Sequence, residues 1–404
     1  MFYYQQLKYF FYCIFIISVG IPIFELIPVC IYVRNIILVV ITLFVLIDQL
    51  IYKKNGVNVS IFTLFILSYF ISLIAGYFIL PELLSVNWNG IKIILVYFFI
   101  FFFGGIDDKL FLRVKKVIIF VALLNVIWAI LQFIYYTVFD IPINDILFLF
   151  LVKENIRGFT VFTGSTDTLL KYRLTGLSWD PYYLGVFCIM LVCLTKSKII
   201  KLMAFFALFF SYSRMGYLGV SFYLGFKIYQ SFNKLKEKKS VKYFYLILIP
   251  FIIIIVSYII LFLRGRNIAS QRIGYYIAPF EILSQNLIGF LWGGSPVYGG
   301  IVINLYEDIA GKYGVSAHPG PWLIESDVIN TLLGRGVLGF LVYIFLFFTI
   351  CLQKNIAEND KLLCLSLFIA GIGYFGISSP LSLFYIGSLL SSRASGYSSL
   401  LRSS

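Results

Sequence analysis

A single histidine, His318, stands in a chain of 404 residues. With one imidazole to offer, the chain cannot build a multi-histidine metal centre, and zinc chemistry is set aside. Charge is scarce as well: 12% of residues are charged and 61% are hydrophobic, which leaves too little polar surface to cover a soluble globule of this size. Six cysteines (Cys13, Cys30, Cys188, Cys193, Cys351, Cys364) fall inside apolar runs with no CxxC pair, so neither a disulfide framework nor a redox motif is indicated. They read as small apolar packing residues. Acidic residues are few, 18 against 32 basic, for a formal net charge of +14. The basic residues are split among short segments between apolar runs and form no arm or face, which excludes nucleic acid as a partner. Internal repeats and low-complexity segments are also lacking.

What is present is a series of apolar runs long enough to cross about 30 Å of hydrocarbon. They begin near Tyr9, Asn35, Ile61, Ile91, Lys116, Pro181, Ile199, Met215, Tyr243, Val328, Leu362 and Pro380. The pattern predicts an all-α polytopic membrane protein, about twelve transmembrane helices forming one integral membrane domain over 1–404. The last run is short, and Pro22, Glu25 and Pro28 can bend or divide the first. That first run follows Lys8 without a small-x-small cleavage site, so it reads as a retained helix rather than a removed signal peptide.

The segments between runs sort by basic content. Lys53 and Lys54; Lys109, Arg113, Lys115 and Lys116; Lys196, Lys198 and Lys201; Lys234, Lys236, Lys238, Lys239 and Lys242; and Lys354 and Lys361 occupy alternate loops. By the positive-inside rule these loops are cytoplasmic, as are both termini. Two outer loops are long, 139–180 and 264–327, whereas every cytoplasmic loop is too short to hold a domain. Function is therefore expected outside. The first long loop carries an amphipathic stretch, Ile143 to Val152, suited to a short interfacial helix. The second is punctuated by Gly293, Gly294, Pro296, Gly299, Gly300, Pro319 and Pro321, so it is partly irregular.

Arginine is distributed against the topological bias. Cytoplasmic loops use lysine almost exclusively, while the outer side carries Arg157, Arg173, Arg214, Arg264, Arg266 and Arg272, with Arg335 just inside the tenth run. Guanidinium groups bind phosphate or carboxylate through paired donors, so an exported anion is the natural partner of the set. The plainer alternative for any one of them is a lipid headgroup contact or a helix C-terminal cap. Arg214 lies in Ser211-Tyr212-Ser213-Arg214-Met215-Gly216, a very short turn where a charge is costly unless it is paired or used.

Four segments in order, covering about 171–340, resemble the O-antigen polymerase and ligase superfamily of bacterial envelope enzymes. Arg173-Leu174-Thr175-Gly176-Leu177-Ser178-Trp179-Asp180-Pro181 is similar to the family's Arg-x-x-Gly-x-x-x-Asp-Pro entry into a span. The Ser213-Arg214-x-Gly216 turn follows. Gln271-Arg272-Ile273-Gly274-Tyr275-Tyr276, with Ile288-Gly289 and Gly293-Gly294, resembles the amphipathic stretch of the family's large periplasmic loop. Glu325-Ser326-Asp327, leading to Asn330, Leu333, Gly336 and Gly339, is the fourth.

The resemblance implies a GT-C-like membrane fold and a metal-independent glycosyltransferase needing no cofactor. Its donor and acceptor would be undecaprenyl-pyrophosphate-linked glycans, with membrane lipid, a chain-length regulator and a flippase as further partners. Arg173 and Arg272 match family positions for the diphosphate, Arg214 comes next, and Arg264 and Arg266 match no family motif and could anchor the loop to headgroups. In the ligases a His-Asn or close relative stands eleven residues before the first of two glycines. That position here is Glu325, eleven before Gly336, whereas His318 lies seven residues earlier still. The departure favours a polymerase over a ligase. A capsule or other exopolysaccharide polymerase would carry the same pattern.

Glycosyl transfer to a hydroxyl needs a base, and Glu325 is best placed, with His318 and Asp180 as further candidates. Each has a structural alternative: Glu325 a charge complementing a helix N-terminus, His318 a residue of a Pro/Gly turn, Asp180 an N-cap ahead of Pro181. Tyr172, Trp179, Trp292, Tyr298 and Trp322 could stack on sugars, but an interfacial aromatic belt is the preferred reading. A non-enzymatic flippase of lipid-linked sugars would instead place charges along several spans and show related halves. The arginines cluster at one face, and the two outer loops are unequal.

Overall fold

The computed structural model of the chain describes residues 2–21, 24, 27–52, 71, 108–152, 172–178, 180–234, 291, 326–353, 356–373, 381–382 and 384–389. Its helices, in chain order, are α1 (Phe2–Gly20), α2 (Pro28–Tyr52), α3 (Asp108–Val138), α4 (Ile143–Val152), α5 (Pro181–Leu194), α6 (Lys198–Ser211), α7 (Arg214–Lys234), α8 (Asp327–Leu352) and α9 (Glu358–Gly373). Residues 384–389 are helical too, and no strand occurs among the described residues. The expected runs beginning near Ile61, Ile91 and Tyr243, and nearly all of the second long loop, lie outside the described residues.

Local chemistry sets the helix ends. The first apolar run is divided where its prolines predict: α1 stops at Gly20 and α2 opens on Pro28, whose missing N–H costs nothing in a first turn. Asp180 caps α5 by accepting from the Tyr182 N–H at 2.9 Å, with Pro181 next. Ser197 accepts from the Ile200 N–H at 3.4 Å and caps α6. Inside α8, Gly336 adopts φ 65°, a left-handed conformation open chiefly to glycine, and breaks the helix into two arms. Among the described residues, two helical stretches, Lys109–Val138 and Arg335–Leu352, are long and apolar enough to cross a membrane. Helices α5 and α6 are shorter than their apolar runs suggest, 14 residues each, or about 21 Å at 1.5 Å per residue. The capping residues Asp180, Ser197 and Tyr212 cut them short.

The bundle is apolar outside and holds a minority of buried polar groups within an apolar core. Ile199, Leu202 and Leu352 are at least 70% exposed, whereas Lys8, Asn125, Gln132 and Ser366 have no exposure at all. Outward Leu, Ile and Phe with inward amides and ion pairs is the pattern that hydrocarbon solvent selects, because buried polar groups must be satisfied internally. All six cysteines are free thiols; Cys188, Cys193 and Cys364 are buried in the core as apolar packing residues.

Ion pairs fix the relative direction of the helices. Lys8 of α1 pairs with Asp48 near the C-terminus of α2, and the Tyr4 hydroxyl donates to the same carboxylate at 2.9 Å. Lys115 near the start of α3 pairs with Asp360 near the start of α9, where the Tyr385 hydroxyl also donates at 2.6 Å. Lys227, late in α7, reaches Glu358 at the start of α9 at 2.8 Å. With Arg113 of α3 over the Tyr9 ring of α1, these bonds gather the N-termini of α1, α3 and α9 and the C-termini of α2 and α7 at one end, the lysine end. The N-terminus of α7, with Arg214, points to the opposite end.

Helices α5, α7 and α9 form the centre, joined through small residues. All of α5 but Tyr183 and Leu194 is buried. A Cβ on Gly185 would lie 2.5 Å from the Ser213 Oγ and 3.3 Å from the Gly216 Cα. One on Gly219 would lie 2.9 Å from the Ser366 carbonyl oxygen. Backbones at such separations tolerate only glycine, and close approach is how helices associate when lipid removes the hydrophobic drive between them.

Candidate functional site

The site is the turn between α6 and α7, and it is built from carbonyl oxygens outward. A helix leaves its last four carbonyls without intrahelical donors. At the end of α6 each has a named partner. Leu208 O accepts from the Ser211 hydroxyl at 2.7 Å, Phe209 O from the Tyr217 hydroxyl at 2.6 Å, and Phe210 O from the Leu174 N–H at 3.2 Å. Ser211 O accepts from Arg173 Nε at 3.0 Å, and Tyr212 O from Arg173 Nη2 at 3.0 Å. Arg173 is therefore a C-terminal cap of α6, with the carbonyl end of the helix dipole favouring its charge.

Between those two bonds lies backbone strain. Tyr212 is left-handed (φ 51°, ψ 31°), which costs a side-chain-bearing residue on the order of 1–2 kcal/mol. The fork of Arg173 grips the peptides on both sides of this residue. Ser213 follows, its N–H donating to the Ser211 Oγ at 3.1 Å and its own Oγ accepting from the Gly216 N–H at 3.4 Å. The chain then enters α7 at Arg214, which is half-buried.

The segment carrying Arg173 is itself held from below by three buried amides that sequence reasoning missed. Gln132 accepts from the Thr175 and Gly176 N–H groups at 3.1 and 2.9 Å. Asn144 of α4 donates to Thr175 Oγ1, Gly176 O and Ser178 O at 2.8 to 3.1 Å and accepts from the Trp128 indole at 2.8 Å. Asn125 donates to Gly20 O at 2.9 Å and accepts from the Leu177 N–H at 3.2 Å. Gly176 has φ 69°, and a Cβ there would lie 3.1 Å from the Asn125 carbonyl oxygen, so two constraints require glycine. A signal was available in the sequence. Asn125, Trp128 and Gln132 are spaced i, i+3, i+7 in an otherwise apolar run, one polar face on a helix.

Of the residues singled out from sequence, the structure brings Arg173 and Arg214 to one turn. Asp180 serves as the N-cap of α5, its structural alternative. Arg264, Arg266, Arg272, His318 and Glu325 lie outside the described residues, as do Trp179, Trp292, Tyr298 and Trp322. Tyr172 is buried against Tyr136, ring centroids 5.0 Å apart, which makes it a packing residue. Arg335 is buried beside the Gly336 break, its Nη2 donating to the Thr331 hydroxyl at 3.2 Å, and its side chain covers Gly339. At the start of α8, the Ser326 hydroxyl donates to Gly371 O at 3.2 Å and ties α8 to the end of α9 remote from the lysines.

Chemically, this end offers two guanidinium groups on one turn, that of Arg173 oriented by two carbonyl oxygens. Preorganised donors of that kind stabilise charge that develops on a bound anion. No protein-family model, no curated protein and no solved structure matches the chain.

Proposed function

We propose that the chain is a polytopic inner-membrane glycosyltransferase of the O-antigen polymerase kind. It joins undecaprenyl-pyrophosphate-linked repeat units at the periplasmic face, with both termini in the cytoplasm. The reading rests on the resemblance over 171–340, and one observation carries it beyond that: the arginine turn stands at the end of the bundle opposite the lysine ion pairs, on a buried polar scaffold costly to place in an apolar bundle. In this reading Arg214 binds the donor's diphosphate, Arg173 belongs to the same site, and Arg272, Arg264 and Arg266 of the large loop are further candidates for it. The hydroxyl of the acceptor's non-reducing sugar attacks the donor's anomeric carbon. The carbon–oxygen bond to diphosphate breaks, its electron pair stays with the diphosphate oxygen, and the hydroxyl proton passes to Glu325, or to His318 or Asp180 in its place. The products are a longer lipid-linked glycan and free undecaprenyl pyrophosphate.

Lipopolysaccharide ladders test the assignment in the native host. Arg214→Ala, present in the membrane at wild-type level, is expected to leave a single repeat unit on the lipid core. Complete absence of repeat units would point to a ligase or flippase, and an intact ladder would contradict the reading. Loss confined to a capsule, with lipopolysaccharide unchanged, would assign the polymer rather than the chemistry.

A further inference from the structure

The anion site proposed above contains two arginines on one turn, and their environments differ. Arg173 donates along both edges of a strained peptide pair, to Ser211 O and Tyr212 O at 3.0 Å each. Arg214 lies two residues beyond Tyr212, as the first residue of α7. The two bonds of Arg173 hold the peptides on either side of the left-handed Tyr212, the residue at which the chain turns toward α7. The segment bearing Arg173 is fixed in turn, since Gln132 accepts from the N–H groups of both Thr175 and Gly176.

We infer that Arg173 is a positioning residue rather than a direct ligand of the diphosphate. It acts through the Ser211–Tyr212 turn to aim Arg214, and Gln132 acts one step further back by fixing Arg173. The inference rests on the proposed anion site and deepens it: one guanidinium binds, a second sets its geometry, and a buried amide sets the second. A lysine cannot replace Arg173 in this role. An ammonium is a compact point charge without the planar fork that spans two carbonyls.

The test is binding of inorganic pyrophosphate to the purified full-length chain in nanodiscs, measured by calorimetry, with a melting curve for every variant. Arg214→Ala is expected to weaken binding about tenfold to a hundredfold, the loss of a charge-assisted contact. Arg173→Ala and Arg173→Lys are expected to weaken it alike, and Gln132→Leu to follow them. The double variant Arg173→Ala/Arg214→Ala is expected to bind no more weakly than Arg214→Ala alone, since a residue that works only through another adds nothing once that other is gone. Near-wild-type binding by Arg173→Lys, or a double variant weaker by the product of the two single effects, would overturn the inference and leave the anion site standing. Wild-type affinity in Arg214→Ala would overturn the site itself.

Discussion

The two ends of the helix bundle treat positive charge differently. At the lysine end ammonium groups meet carboxylates on neighbouring helices: Lys8 with Asp48, Lys115 with Asp360, Lys227 with Glu358. At the arginine end the guanidinium of Arg173 meets two carbonyls and that of Arg335 a hydroxyl. A lysine–carboxylate pair joins one helix to another, whereas the fork of Arg173 closes the end of a helix and grips a strained turn. The first arrangement suits assembly of the bundle, the second the shaping of a local site. Perturbing each end should accordingly give a stability phenotype at one and a functional phenotype at the other.

The largest stability effect is expected at Asp360, buried and shared by Lys115 and Tyr385. Asp360→Ala leaves the partly buried Lys115 ammonium without its carboxylate and the buried Tyr385 hydroxyl without its acceptor, a loss of about 3 kcal/mol, to be read as thermal unfolding of the purified protein in detergent. Replacing both members of the buried Lys8–Asp48 pair by apolar residues of similar volume is expected to cost much less than removing Asp48 alone. An equal cost would mean that the pair itself stabilises the fold. Next comes Gln132→Leu, which orphans two buried N–H groups at about 1–3 kcal/mol each. It is the variant expected to lower both stability and pyrophosphate affinity, because the amide belongs to the scaffold of the arginine turn. Asp180→Ala should cost about 1 kcal/mol as a lost N-cap. A loss of turnover in Asp180→Asn as deep as in Asp180→Ala, at unchanged stability, would assign the carboxyl to the chemistry, since the amide keeps the cap and loses the base. The smallest effect is expected at Glu358, more than half exposed, where Glu358→Ala should change stability by less than about 1 kcal/mol.

Much of this division was legible in residues alone. Apolar runs gave the positions of α1, α2, α3 and α5 to α9, and the amphipathic stretch at Ile143–Val152 is α4. Asp180-Pro181 was readable as a helix start, since capping depends on a few neighbouring residues. Two features were not legible. The role of Arg173 depends on carbonyls nearly forty residues away, and a sequence motif does not reveal whether an arginine faces a ligand or a helix end. The shortness of α5 and α6 was hidden because capping residues interrupt a run without making it less apolar. Asn125, Gln132 and Asn144 were visible as polar residues in apolar runs, but the loop they hold could be named only from the fold.

The central claim is that guanidinium groups of the arginine end, working without a metal ion, stabilise the departing diphosphate. Polymerisation by the purified chain, given a defined undecaprenyl-pyrophosphate-linked repeat unit and a chelator, tests it most directly. The expected result is a glycan ladder that persists under chelation and disappears in Arg214→Ala of unchanged melting temperature. A ladder made by Arg214→Ala, or one abolished by the chelator with every arginine in place, would contradict the claim.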